Sequence, residues 1–132
     1  MFTEAEVEYL NSQPLARLAT VTSSGQPQVR PTSYHYNAET GTIDVGGFRM
    51  RDTQKYRNVE AGSAVSIVVD EVISMDPWTV RGIEIRGSAE TLTGQEPYLK
   101  GFSGDIVRIH PKRILSWGLS SDDTTMNARD VP

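Results

Sequence analysis

The sequence predicts a mainly β (α+β) domain: an antiparallel sheet that closes into a barrel and carries two short helices. Three observations predict it. At 132 residues the chain is long enough for one core but not for two. Short apolar or alternating runs follow one another with compact turns between them, the pattern of hairpin-linked strands rather than of a parallel α/β fold. Helix-start chemistry occurs at only two places. About seven strands result, with no internal repeat and no low-complexity segment.

The elements follow in order. Thr3 with Glu6 three residues later forms a capping-box pattern, and Phe2, Val7 and Leu10 give a short helix its apolar stripe before Pro14 ends it. LARLATVT (15–22) and PQVRPTSYHYN (27–37) flank SSGQ, a Gly-containing turn, and read as a β-hairpin. AETG (38–41) turns the chain into TIDVGG (42–47), a third strand. Asp52 is the expected N-cap of a helix over Thr53 to Ala61, with Gly62 as its C-cap. SAVSIVVDEV (63–72) is almost continuously apolar, as expected of a strand buried on both faces. In so small a barrel, one of those faces calls for cover by a second copy of the chain. VRGIEIRGSAETL (80–92) is a long strand, TGQEPYLKGFSGD (93–105) a loop, and IVRIHP (106–111) and RILSWG (113–118) complete the sheet. The domain is read as 1–118, and 119–132 as a polar C-terminal tail.

Composition narrows the function. Seventeen acidic residues against thirteen basic give a net charge of −4. Wrapping nucleic acid or coating an anionic membrane needs a basic field, so neither partner is expected. The absence of cysteine rules out disulfide and thiolate chemistry and fits a reducing, cytoplasmic setting. MFTEAEVEYL has acids where a secretory signal has bases and an apolar run, and no stretch approaches the roughly 18 apolar residues of a membrane span. His35 and His110 are far apart and no HxxH or HExxH pairing occurs, so no metal site is expected. No nucleophile triad, Walker loop or paired-carboxylate site is present; GFSGD (101–105) is not a nucleophile elbow, and SSDD (120–123) is isolated.

One stretch stands apart. GGFRMRDTQKYRNV (46–59) places Arg49, Arg51, Lys55 and Arg57 within nine residues, at the end of a strand and the start of a helix. A helix N-terminus is partly positive and usually attracts acids. Cations there make sense around an anion, with the N–H groups, the Thr53 hydroxyl, Lys55 and an arginine converging on phosphate oxygens. Gly46 and Gly47 then let the backbone approach a flat ligand. Met50 belongs to the same candidate cofactor-binding stretch, although its side chain equally suits packing. The alternative is a solvated helix face whose cations pair with Glu60, Asp52 or Asp44. Arg81 is a further candidate anion ligand, because it shares the inward parity of Ile83 and Ile85 at a strand end. There it is costly unless paired, and a salt bridge to Asp76 or Asp70 across a dimer answers equally well.

The order LATVTSSGQPQVRPTSYHYNAETGTIDVGG, then RDTQKYRNV, then AVSIVVDEV resembles the pyridoxamine 5′-phosphate oxidase-like family of flavin and deazaflavin oxidoreductases. DPWTVRGIEIRGSAE and RIHPKRILSWGL are similar to its short actinobacterial branch, described as coenzyme F420-dependent. The resemblance spans residues 3 to 118. It implies a split β-barrel homodimer that binds its cofactor in a groove between subunits, with the chemistry carried by the cofactor and no catalytic side chain. The Ser-Arg-Lys triplet that holds phosphate in the FMN members falls on Thr53, Gln54 and Lys55. Gln54 for arginine weakens the case for FMN, while Arg49, Arg51 and Arg57 spread charge as suits the longer anionic tail of F420. By the same resemblance Pro31, Thr32 and Ser33 approach the ring system. Arg30, which with Tyr34 faces away from Ser33 on a regular strand, completes the set on that segment. Trp78 falls where an aromatic of the second subunit nears the cofactor, or else anchors the interface, and Tyr34 and Tyr36 serve either core or interface. The function so implied is an F420-dependent oxidoreductase transferring hydride between the deazaflavin and a small organic acceptor, with Tyr34, His35 or water as proton source. The alternatives are an FMN-binding oxidase or reductase of the same fold, a non-catalytic F420 or flavin binder, and a structural dimer with a merely solvated patch.

Overall fold

Residues 1–119 and 126–132 are described in the computed structural model; SSDD (120–123) lies outside them. Helix α1 (Glu4–Ser12) begins on the Thr3–Glu6 capping box. The Thr3 N–H donates to Glu6 Oε1 at 2.9 Å and the Glu6 N–H to Thr3 Oγ1 at 3.2 Å. The strands are β1 (Ala16–Val21), β2 (Pro27–Thr32), β3 (His35–Asn37), β4 (Thr42–Val45), β5 (Val65–Met75), β6 (Trp78–Leu92), β7 (Ile106–Trp117) and β8 (Met126–Asp130). A 3-10 turn (Met50–Asp52) leads into helix α2 (Gln54–Glu60). Among the described residues all pairings are antiparallel, in the order β2-β1-β5-β6-β7-β4-β3, with β8 on β7. The ends of that path, β2 and β3, are neighbours in the chain, and among the described residues no ladder joins them.

The core is the inner face of this sheet with the two helices laid on it: Leu18, Ile43, Ile67, Ile83, Ile85, Ile109 and Ile114, with Tyr9 and Leu10 from α1 and Tyr56 and Val59 from α2. Each such side chain taken out of water contributes about 1.5–3 kcal/mol, and β-branched isoleucine suits the pleated surface that supplies most of them. Among the described residues, no helix is long and apolar enough to cross a membrane.

Several expectations need correction. The segment 27–37 is two strands, broken at Ser33 and Tyr34, where the Tyr34 hydroxyl donates to the Leu10 and Gln13 carbonyls at the end of α1. Thr53, not Asp52, caps α2: its Oγ1 accepts from the Tyr56 N–H, while Asp52 closes the 3-10 turn. Gly62 sits one residue beyond the Ala61 C-cap at φ 95°, a left-handed position that glycine adopts freely. β5 is not buried on both faces. Val65, Ile67 and Val69 point inward, whereas Asp70 on the other face is exposed and bonded to Arg17, and Ser66 donates to Glu84. The segments 106–111 and 113–118 are one strand, because the ladder with β6 skips a residue at Arg86/Gly87 and so passes Pro111 without breaking.

The last correction concerns the C-terminus. Residues 126–130, expected within a polar tail, form β8. Their anchor is Arg129, whose Nη1 and Nη2 donate to Glu6 Oε2 and Oε1 at 2.9 and 2.6 Å. Glu6 is 2% exposed. Burial alone raises its carboxyl, but the bonds from Arg129 and Thr3 outweigh that and hold it below the ordinary carboxylate range. The capping glutamate of the first helix therefore also clamps the last strand.

Candidate functional site

The cationic stretch and the second strand face each other. One depression of about 600 Å³ is lined by Leu18, Thr20, Gln28, Val29, Arg30, Pro31, Thr53, Gln54 and Lys55. A second, of about 360 Å³, is lined by Thr32, Ser33, Gly46, Gly47, Phe48, Arg49, Met50, Thr53, Lys55 and Phe102. Thr53 and Lys55 belong to both, so the two depressions adjoin at these residues and are treated as one groove. Of the candidate residues, Arg30, Pro31, Thr32, Ser33, Gly46, Gly47, Arg49, Met50, Thr53, Gln54 and Lys55 come together here. Arg51 is exposed and lines neither part.

Trp78 and Arg81 do not join them within one chain. Trp78 stands exposed at the β5–β6 tip. Arg81 pairs with Glu71 on the neighbouring strand and lies over the Tyr9 ring, 5.0 Å from its centroid. Within the chain its charge is answered by Glu71.

The electrostatics of the groove rest on its cations. Burial pushes the Lys55 ammonium below the ordinary lysine range, and the nearby positive charge of Arg30 lowers it further. Among the described residues no carboxylate pairs with Arg30, Arg49, Arg51 or Lys55. Two like charges brought together without a counter-charge are unfavourable, and an anion between them removes the penalty. The alternative pairing of this stretch with Asp44 does not form; Asp44 binds Arg108.

Several other candidates also make contacts within the chain. The Thr53 hydroxyl donates to the Met50 carbonyl at 2.7 Å and accepts from Tyr56, so its proton is already committed. Gln54 accepts from Arg57 at 3.0 Å and donates to Asn58 at 2.7 Å. Asn58, buried, carries the chain on to Thr20 and Gln28 at 2.9 and 3.0 Å. The Met50 side chain is buried in the core. Gly46 is glycine for packing: a Cβ there meets the rings of Tyr98 and Phe102 at 3.1 and 3.2 Å, whereas at Gly47 a Cβ makes only ordinary contact with Met50 at 3.8 Å. Helix α2 has only seven residues, so side-chain charge rather than a helix dipole dominates the site.

Residues that sequence reasoning missed come mainly from the loop 93–105. Tyr98 binds the Ser33 hydroxyl at 2.9 Å and accepts the Gly46 N–H at 2.8 Å. Phe102 meets Tyr98 edge-on at 5.4 Å, and exposed Phe48 meets Phe102 at 5.0 Å. Two signals pointed there: a loop of thirteen residues is longer than most connections, and its aromatics stand four apart between Pro97 and the glycines 101 and 104. Asn58 was signalled by its i,i+4 spacing from Gln54. Among the described residues no cluster of His, Asp or Glu is placed to hold a metal ion.

Comparison with known proteins adds to this geometry. A family model described as pyridoxamine 5′-phosphate oxidase matches residues 2–128. A 5a,11a-dehydrotetracycline/5a,11a-dehydrooxytetracycline reductase of Streptomyces rimosus is 40% identical over 132 residues, covering 98% of this chain and 93% of that protein. Among solved structures, a conserved hypothetical protein of Mycobacterium tuberculosis shares the fold with a TM-score of 0.69 at 23% identity, over 90% of this chain and 86% of that one. General Stress Protein 26 of Bacillus anthracis does so with a TM-score of 0.69 at 13% identity, over 97% of both chains.

Proposed function

The chain belongs to the pyridoxamine 5′-phosphate oxidase family, and on that premise we propose that it is a cytoplasmic, F420-dependent reductase acting as a split-barrel homodimer. The observation that carries the reading is the Arg30–Lys55 pair, two cations facing one groove with no carboxylate partner among the described residues. The donor set fits a ring cofactor with an anionic tail: Arg30 and Lys55 line one depression, and Ser33, Gly47 and Phe48 line the other beside Lys55 and Arg49. Lys55 and Arg30 hold the anion, Arg49 and Arg51 extend the positive surface, and the Pro31–Ser33 segment flanks the ring. When bound, the deazaflavin supplies hydride chemistry. The protein supplies orientation and exclusion of water, so no nucleophile or metal cluster is needed in the groove.

Two features favour F420 over FMN. Gln54 stands where the FMN members carry arginine, and its amide is held by Arg57 and Asn58. The unpaired arginines extend beyond the space of a single phosphate. For the acceptor, the Streptomyces relative is named for reduction of dehydrotetracyclines, which supports an activated carbon–carbon double bond in a polycyclic substrate. Tyr34 is not the proton source in this reading. Its hydroxyl is held by two carbonyls and burial raises its pKa, leaving His35 or water.

The dimer rests on Val72, Ile73, Met75 and Trp78, each half or more exposed at the β5–β6 tip. An apolar cluster of this kind marks an interface, and a second copy covering it brings Trp78 towards the groove. Sedimentation at low micromolar concentration is expected to give about twice the 14.6 kDa chain mass. Absorbance titration of cofactor-free protein with F420 and FMN tests the cofactor. Tighter binding of F420 is expected; equal or tighter FMN binding reverses the choice, and binding of neither ends the cofactor reading.

A further inference from the structure

The loop 93–105 lays one hydroxyl across two of the groove's lining residues. Tyr98 Oη accepts the Gly46 N–H at 2.8 Å and lies 2.9 Å from Ser33 Oγ. A phenol has one proton, and the Ser33 oxygen is the one acceptor within reach among the described residues. A phenol is a stronger donor than an aliphatic alcohol, and accepting an N–H polarises its own O–H further. The pair is therefore ordered Gly46 N–H to Tyr98 O–H to Ser33 Oγ. Ser33 spends an acceptor site on the tyrosine and keeps its own proton, which no other group among the described residues takes, and the residue lines the groove beside Gly47 and Lys55.

We propose that Tyr98 is a positioning residue that fixes Ser33 as a hydrogen-bond donor to an acceptor atom of the ring bound in this groove. The inference rests on the cofactor reading above. The rest of the loop supports it. The Tyr98 ring is wedged between His35, stacked at 5.4 Å, and Phe102, edge-on at 5.4 Å, so the hydroxyl is held by packing on both sides. Gly46 cannot carry a side chain without displacing that ring. Burial keeps the phenol above its ordinary pKa, so it stays protonated at working pH.

The test is a double-mutant cycle on binding, not turnover, using F420 and FMN in absorbance titrations. Ser33→Ala is expected to weaken binding of the preferred cofactor about tenfold, the size of one net hydrogen bond, and to shift the bound cofactor's absorption maximum. Tyr98→Phe, which keeps the ring and removes only the oxygen, is expected to shift the maximum in the same direction. In its background Ser33→Ala is expected to cost almost nothing, because the two act as a unit. Additive losses, or a Tyr98→Phe protein with an unshifted spectrum, overturn the inference while leaving the cofactor reading in place. Wild-type protein that binds neither cofactor overturns both. Should Tyr98→Phe fail to fold, Ser33→Ala decides alone: unchanged affinity and spectrum overturn the donor role.

Discussion

Two basic regions of this molecule face opposite fates. On β4 and β7, Arg108 donates through Nε and Nη2 to both oxygens of Asp44 at 3.0 and 3.1 Å, and Asn37 and Thr42 complete the carboxylate's shell. Beside β2 and α2, Arg30 and Lys55 approach each other with no acid among the described residues paired to either. Nor are acids scarce, since six arginines of the chain sit in ion pairs among the described residues. The difference teaches where to look for a ligand: a paired cation serves the fold, whereas two unpaired ones in a groove call for an anion from outside. Each experiment below acts on one side of that contrast.

The largest effect belongs to the satisfied pair. Asp44 is 4% exposed; replacing it with alanine strands Arg108, and breaking a buried pair in this way costs about 3–5 kcal/mol. Chemical denaturation of Asp44→Ala is expected to show a loss towards the lower end of that range, since Arg108 keeps some access to water, with cofactor affinity retained. Acid tells the same story. Burial alone raises the Asp44 carboxyl, but the Arg108, Asn37 and Thr42 bonds outweigh it and hold its pKa low. Its contribution is full above the unfolded value of about 3.9 and is lost as pH falls through the lower folded value. A neutral cost for Asp44→Ala erases the contrast.

Next comes the unsatisfied pair. Lys55→Ala is expected to weaken cofactor binding by about 1.5–3 kcal/mol, the range for a charged hydrogen bond. It should leave the cofactor-free fold as stable as before or slightly more so. Calorimetric titration with F420 beside thermal melts separates these effects, and unchanged affinity turns the cluster into a solvated face. Smaller still is Gln54→Arg. It restores the residue of the FMN binders and is expected to raise FMN affinity relative to F420. It also breaks the Gln54–Asn58 bond, at a cost of about 0.5–1.5 kcal/mol in stability. No gain in the FMN to F420 ratio removes Gln54 from the specificity argument.

How far the sequence revealed all this follows a physical rule. The Thr3–Glu6 cap, the β1–β2 hairpin and the cationic stretch were legible because each is local, set by spacing and turn chemistry within a few residues. The stretch opposite β2 became legible through family resemblance, which supplied the register of Thr53, Gln54 and Lys55. What stayed hidden depends on partners distant in the chain. Arg129 meets Glu6 across 123 positions and turns an expected tail into a strand. Tyr98 reaches Ser33 across 65. The Asp52-for-Thr53 error was of another kind: both residues cap helices well, and the 3-10 turn through Asp52 decided between them.

The smallest prediction reads the sign of a pH slope at Lys55. In the free protein, burial and Arg30 place this lysine below its unfolded value of about 10.4. Below the folded pKa both states carry the proton, and the unfavourable charge is fully felt. Between the folded value and about 10.4 the unfolded chain binds more protons, so this residue's penalty is relieved as pH rises. Any stability advantage of Lys55→Ala over wild type should therefore shrink as pH rises through the lowered folded value towards about 10.4 when no cofactor is present. A bound anion reverses the order, because it favours the charged lysine and raises its pKa. The added stability of the complex is then present at neutral pH and lost as pH rises through the bound value. Melts of wild type and Lys55→Ala from neutral pH to above about 10.4, with and without F420, should show slopes of opposite sign for wild type relative to the variant. Equal slopes in both conditions mean that Lys55 does not meet the anion, whatever else the groove holds.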